Sequence, residues 1–144
     1  MKRARYIGTL AGLILVIGFG AASSLYADST NEKTLNAEGS KIQVRYLGVK
    51  ADVVSVKPYI KAKEGKKKGN LWLDVVVKNT GSNPQAYNIF GQAQTMSGGW
   101  VGGSIKAPKK GEIEPGTETT ISVNTRYQAE SVPKEIRVEV LPPK

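Results

Sequence analysis

The stretch Asn70-Leu71-Trp72-Leu73-Asp74-Val75-Val76-Val77-Lys78-Asn79 decides the fold. Leu71, Leu73, Val75 and Val77 fall on one side of an extended chain, and Trp72, Asp74, Val76 and Lys78 on the other. This is the period of two that a half-buried strand requires. Four aliphatics in unbroken alternation, β-branched toward the end, predict a central core strand. Asn79-Thr80-Gly81-Ser82-Asn83-Pro84 follows with turn chemistry at nearly every position. On the other side lies Lys61 to Gly69, which carries Lys61, Lys63, Lys66, Lys67 and Lys68 and predicts an exposed loop.

The same period extends in both directions. Ile42, Val44 and Tyr46 alternate with Gln43 and Arg45, and Asp52 to Ile60 offers Val54, Val56 and Tyr59 as an inward row. Pro58 removes a ladder donor and puts that second stretch at an edge or a bend. Gln85 to Thr95 reads as a paired strand with Tyr87 and Ile89 on one face, and Ser97 to Ser104 as a glycine-rich loop or edge strand around Trp100. Lys109-Lys110-Gly111 and Glu114-Pro115-Gly116 are turns, the second with the proline–glycine order of a type II turn. Thr117, Thr119, Ile121, Val123 and Thr125 make another alternating row. Ile136, Val138 and Val140 point inward from a last strand that Pro142-Pro143 ends. About seven short strands and no helix after the N-terminal segment predict an all-β, antiparallel sandwich.

The first residues have a different character. Lys2, Arg3 and Arg5 precede an apolar run of 16 residues, Ile7 to Ala22, which gives way to small residues and Ala27-Asp28. That is the pattern of a secretory signal. Residues 1–27 are expected to be a signal peptide, cleaved after Ser24 or Ala27, or else a retained membrane anchor, since extension through Ala27 reaches spanning length. Either fate places the domain outside the cytoplasm: periplasmic, secreted or at the cell surface. Residues 28–40 are polar, lack apolar alternation and are expected to be a linker, with the sandwich domain occupying 41–144.

With no cysteine and no histidine, the chain has no thiolate chemistry, no conventional catalytic triad and no imidazole metal ligand. The carboxylates are scattered, without the Asp-x-Asp spacing of a calcium loop, and Glu112 and Glu114 read as a solvated strand-tip pair. The glycine-rich segment has no Gly-Lys-Ser/Thr ending and is not a phosphate cradle. The expectation is a non-enzymatic protein with no cofactor and no metal. Without Lys2, Arg3 and Arg5, 18 basic residues stand against 12 acidic ones, a net charge of +6, and only Arg45, Arg126 and Arg137 are arginine. Outside the cytoplasm such a surface meets lipid headgroups, anionic polysaccharides or acidic proteins rather than nucleic acid.

Leu71 to Pro84, LWLDVVVKNTGSNP, and Ile113 to Tyr127, IEPGTETTISVNTRY, together resemble secreted bacterial and archaeal immunoglobulin-like β-sandwich modules of the FxLYD and CARDB type. In those modules a hydrophobic strand ends in an Asn-x-Gly turn, and a Pro-Gly turn introduces a Thr-rich strand. The resemblance covers about residues 41–141 and implies an adhesion or scaffold role without catalytic residues. The chain departs from it in lacking an FxLYD tetrapeptide; Arg45-Tyr46-Leu47 and Ser24-Leu25-Tyr26 do not match it.

Two groups of residues are candidate binding sites. Lys61, Lys63, Lys66, Lys67 and Lys68 either dock an anionic surface or form a solvated hairpin tip that discourages edge aggregation. Trp100, between glycine pairs, either presents an aromatic platform or plugs the end of the sandwich. Trp72 either packs under the Ser97–Ser104 loop or lies exposed beside it. Function is expected to be binding or scaffolding through contact with a protein partner. The rivals are envelope attachment through the lysine loop to anionic lipid or polysaccharide, and a structural subunit of a surface assembly. Membrane contact through the N-terminal segment requires residues 7–27 to be retained.

Overall fold

Leu71, Leu73, Val75 and Val77 are all fully buried on β4 (Gly69–Asn79), the middle strand of a three-stranded sheet. β3 (Ala51–Ala62) and β7 (Glu118–Ala129) flank it, both antiparallel to β4. The architecture comes from a computed structural model that describes residues 30–106 and 111–143. A second sheet has the order β1-β2-β8-β5-β6. Its strands are β1 (Thr30–Ala37), β2 (Ser40–Leu47), β5 (Asn88–Gln94), β6 (Trp100–Lys106) and β8 (Glu135–Leu141). Ile42, Val44, Ile89, Ile136, Val138 and Val140 from this sheet join the β4 row and Val53, Val56, Ile121 and Val123 in one hydrophobic core. The inward rows of both sheets thus cover each other, which removes apolar area from water on both faces.

Four sequence expectations need correction. The segment 28–40 is not wholly a linker: residues 30–37 form β1, which lies beside β2 at the edge of the larger sheet. Its half-buried positions are Lys33, Leu35 and Ala37, so a lysine stands where an apolar residue would have announced a strand. A two-residue turn with positive φ at both Glu38 (52°) and Gly39 (79°) joins β1 to β2, the geometry that suits the twist of a hairpin. Among the described residues the strands number eight, against about seven expected.

The sheets are also not purely antiparallel, because β2 and β8 pair in parallel, Lys41 with Glu135 through Tyr46 with Val140. Alternation along a strand reports which face is buried and carries no information on the direction of its neighbour. Finally, the buried residues of β3 are Val53, Val56 and Pro58, whereas Val54 and Tyr59 of the expected row Val54, Val56 and Tyr59 face outward, Tyr59 beside Trp72. A bulge between Val53 and Ser55 shifts the phase and leaves Val54 exposed. Pro58 does sit on an edge strand, as its missing donor requires. The expected signal or anchor at 1–27, and Lys109 and Lys110 of one expected turn, lie outside the described residues.

Asn79 organises the end of β4. Its amide nitrogen donates to the carbonyls of Asn83 (2.8 Å) and Ile113 (2.7 Å), and its side-chain oxygen accepts from Gly81 N–H (2.8 Å). Gly116 (φ 78°) follows Pro115, and Thr117 N–H closes that turn onto the Glu114 carbonyl at 3.1 Å. At the same end of the molecule, where Ala51 and Asp52 pair with Asn79 and Lys78, Tyr46 of β2 reaches β3: its hydroxyl accepts from Val53 N–H at 2.8 Å and donates to Asp52 at 3.2 Å. Lys33 of β1 donates to the same Asp52 oxygen (2.8 Å) and to the Val53 carbonyl (2.9 Å). Burial, more than the adjacent carboxylate, pushes the Tyr46 hydroxyl up to about 12. The Lys33 ammonium holds the Asp52 carboxyl below its ordinary value.

Candidate functional site

The two candidate groups lie on different sheets and are not brought together. Lys61 is at the end of β3, and Lys63, Lys66, Lys67 and Lys68 occupy the turn that leads into β4. Lys66 N–H closes on the Lys63 carbonyl at 3.0 Å, with Gly65 at φ 79° supplying the left-handed residue that the turn needs. Gly69 permits the hairpin to close, because a Cβ there would fall on the backbone of Lys61 and Ala62. The five lysines line an open cleft of about 640 Å³ together with Asn70, Gln128 and Glu130. Lys61 Nζ also stands 5.3 Å from the centre of the Trp72 ring, a cation–π distance.

Trp72 therefore has other neighbours than the expected Ser97–Ser104 loop. It projects from the outer face of the smaller sheet, with Tyr59 opposite on β3 and Asn124 opposite on β7. One row along, Asp74 accepts from Ser122 Oγ (2.8 Å) and from Tyr59 Oη (3.2 Å). Burial and then the Asp74 charge raise the ionisation of Tyr59 above its ordinary value.

Trp100 opens β6 on the edge of the larger sheet, opposite Gln94. It does not plug the core; it lies half-buried on the outer face, and the Arg137 guanidinium of β8 sits 4.0 Å from the centre of its ring. Arg137 pairs with Gln43 on β2 and Gln92 on β5, so the stack is surrounded by side-chain amides. Next to it Phe90 lies across Gly103, where a Cβ would stand 2.5 Å from the ring carbon Cζ. Arg45 and Glu139 continue the face, joined by a 3.0 Å ion pair, and Glu32 of β1 stands 3.8 Å from Arg45 Nε. The Nε atoms of Arg45 and Arg137 are buried and make no hydrogen bond among the described residues.

Sequence reasoning missed Arg137 and Arg126. The outward position of Arg137 is legible from its alternation with Ile136 and Val138, but its meeting with Trp100 depends on β5 lying between β8 and β6. Arg126 stands in the left-handed region at φ 65°, at a bulge where three β7 residues face Leu71 alone. Asn124 and Thr125 hold that bulge: Asn124 Oδ1 accepts from Arg126 N–H (2.8 Å), and Thr125 Oγ1 donates to the Leu71 carbonyl (2.9 Å). No local motif forecasts it. No family model matches the chain, no curated protein matches it, and no solved structure matches it.

Proposed function

We propose that this chain is a non-catalytic, extracytoplasmic binding or scaffold module that acts through protein–protein contact on the outer face of the larger sheet. The observation that carries the reading is the Arg137 guanidinium stacked 4.0 Å from the Trp100 ring centre on a half-buried, amide-lined surface. Tryptophan and arginine are the side chains that most often dominate binding energy at protein interfaces. The stack also fixes both side chains before a partner arrives, which lowers the entropy lost on association.

The reading of the fold as immunoglobulin-like is supported by two facing sheets of short alternating strands and by the Asn-x-Gly and Pro-Gly turns. In the immunoglobulin arrangement the last two strands share a sheet. Here β7 and β8 lie in different sheets, so the support comes from the layering and not from the strand order. Export is supported by the basic-then-apolar start of the sequence.

Crosslinking in intact cells tests the proposal. The full chain should capture a defined protein, and Trp100→Ala or Arg137→Gln should each cut that capture at least about tenfold, a loss of roughly 1.4 kcal/mol. Capture that survives both substitutions in folded protein would move the contact elsewhere.

A further inference from the structure

We propose that the outer face of the smaller sheet and the lysine cleft at its end form one binding strip for an anionic polysaccharide. The site is separate from the Trp100–Arg137 face and does not depend on it. Strand register puts three rows of side chains side by side: Lys57–Asp74–Ser122, Tyr59–Trp72–Asn124 and Lys61–Asn70–Gln128. From Asp74 to Asn70 the strip runs four residues along β4, about 13 Å at the rise of an extended chain. Each row supplies one element of sugar recognition. Tyr59 and Trp72 are both half-buried, Trp72 partly covered by Lys61, and give the strip aromatic surface against which the apolar side of a pyranose ring can lie, while Asp74, Ser122, Asn124, Asn70 and Gln128 offer donors and acceptors for its hydroxyls.

The last row opens into the cleft, where charge complementarity names the ligand class. Five lysines meet only Glu130 in the lining and Glu64 in the turn. Such crowding of like charge costs stability, and an anion relieves that cost. The cleft is wide and open, which suits a polymer passing through it rather than a small enclosed anion. Lys61, held over Trp72 at 5.3 Å, places a positive charge where the stacked sugar would carry its acidic group.

The Arg126 bulge is an independent indication. A non-glycine residue at φ 65° carries a backbone cost, and strain of this kind collects where a side chain must be re-aimed for binding. The bulge falls between Asn124 and Gln128, the β7 members of the second and third rows. It thus sets an exposed arginine at the junction of the aromatic row and the cleft.

Affinity electrophoresis of the full chain through gels containing polygalacturonate tests the strip, with a neutral glucan and polyglutamate as parallel gels and anionic lipid vesicles in a flotation assay. Polygalacturonate should retard the chain. Lys66→Gln/Lys67→Gln/Lys68→Gln and Trp72→Ala should each weaken that binding at least tenfold, and Trp100→Ala should leave it unchanged. If Trp72→Ala fails to fold, Trp72→Phe serves, and it should retain binding with reduced affinity. In a Trp100→Phe background the polymer should change the emission of Trp72. Arg126→Gly should weaken binding without loss of thermal stability, which separates a binding role from a structural one. Equal retardation by polyglutamate that ignores Trp72, preferential binding to vesicles, or no retardation by polygalacturonate would each overturn the proposal.

Discussion

Tyr46→Phe removes one oxygen from the junction between the two sheets, and its cost follows from what that oxygen holds. The hydroxyl is the acceptor for Val53 N–H at 2.8 Å, and Val53 is fully buried, so water cannot replace it. A buried amide left unpaired costs about 1–3 kcal/mol. The second contact, to Asp52 at 3.2 Å, is long and partly exposed and adds little. A loss of about 2 kcal/mol is expected at neutral pH, which for a domain of this size lowers Tm by roughly 8 °C. The alkaline limb gives a sharper check. The folded hydroxyl ionises at about 12 against an ordinary 10.0, so its contribution is whole below pH 10 and is lost as pH rises toward 12. Two pH units correspond to about 3 kcal/mol. Tyr59 and Tyr87 titrate in both proteins and cancel in the difference. Urea unfolding of wild type and variant from about pH 8 to about pH 11.5 should therefore show a gap that narrows with pH. A gap that stays constant, or one below about 0.5 kcal/mol at neutral pH, would refute the account.

Asn79→Ala strips partners from two carbonyls and one amide at 2.7–2.8 Å and should cost about 3 kcal/mol, read from the urea midpoint. Gly91→Ala places a Cβ 2.8 Å from Leu73 Cδ1 and 3.2 Å from Thr125 Cγ2. It should destabilise by about 2 kcal/mol, and Leu73→Val should recover part of that in the double variant, a non-additivity that thermal melts measure. The Asp52 carboxyl is held below 3.8 by Lys33, so its contribution is present above that pH and is lost as pH falls through the lowered value. Both partners are about a third or more exposed, which limits the effect to less than about 1 kcal/mol. Asp52→Asn should flatten that acid limb in urea titrations, and an unchanged slope would place the acid sensitivity elsewhere.

The elements that were legible in the sequence are those in which one face is wholly apolar. β4, the inward rows of β2, β7 and β8, and the Pro115-Gly116 turn all follow from side-chain period and turn chemistry. β1 escaped because an edge strand buries little and can place Lys33 where a core strand needs an aliphatic. Val54 reads as inward from the sequence because an extra residue reverses the faces beyond it, and nothing in Val53-Val54-Ser55 marks where that residue sits. The candidate site divides in the same way. The lysines were visible as a run, whereas the Tyr59–Trp72–Asn124 row and the Arg137–Trp100 stack each join residues that only strand pairing makes neighbours.

The use of arginine and lysine separates the two outer faces chemically. Of the three arginines within the described residues, Arg45 and Arg137 lie on the larger sheet, each half-buried, one ion-paired with Glu139 and the other stacked on Trp100. A planar guanidinium fixed in this way reads shape, because it rewards only a partner whose acceptors lie in its plane. Lysine dominates the hairpin beside the smaller sheet, where every residue from Lys61 to Lys68 is exposed. A hydrated ammonium on a flexible stem is indifferent to direction and responds to charge density. A partner of fixed surface suits the first face, and a polymer with repeated charge suits the second. Salt should therefore distinguish them: added electrolyte screens the exposed lysines far more than the half-buried stack. Polysaccharide binding should fall steeply with ionic strength while capture through Trp100 and Arg137 changes little, and parallel salt curves for the two would show that both contacts share one electrostatic origin.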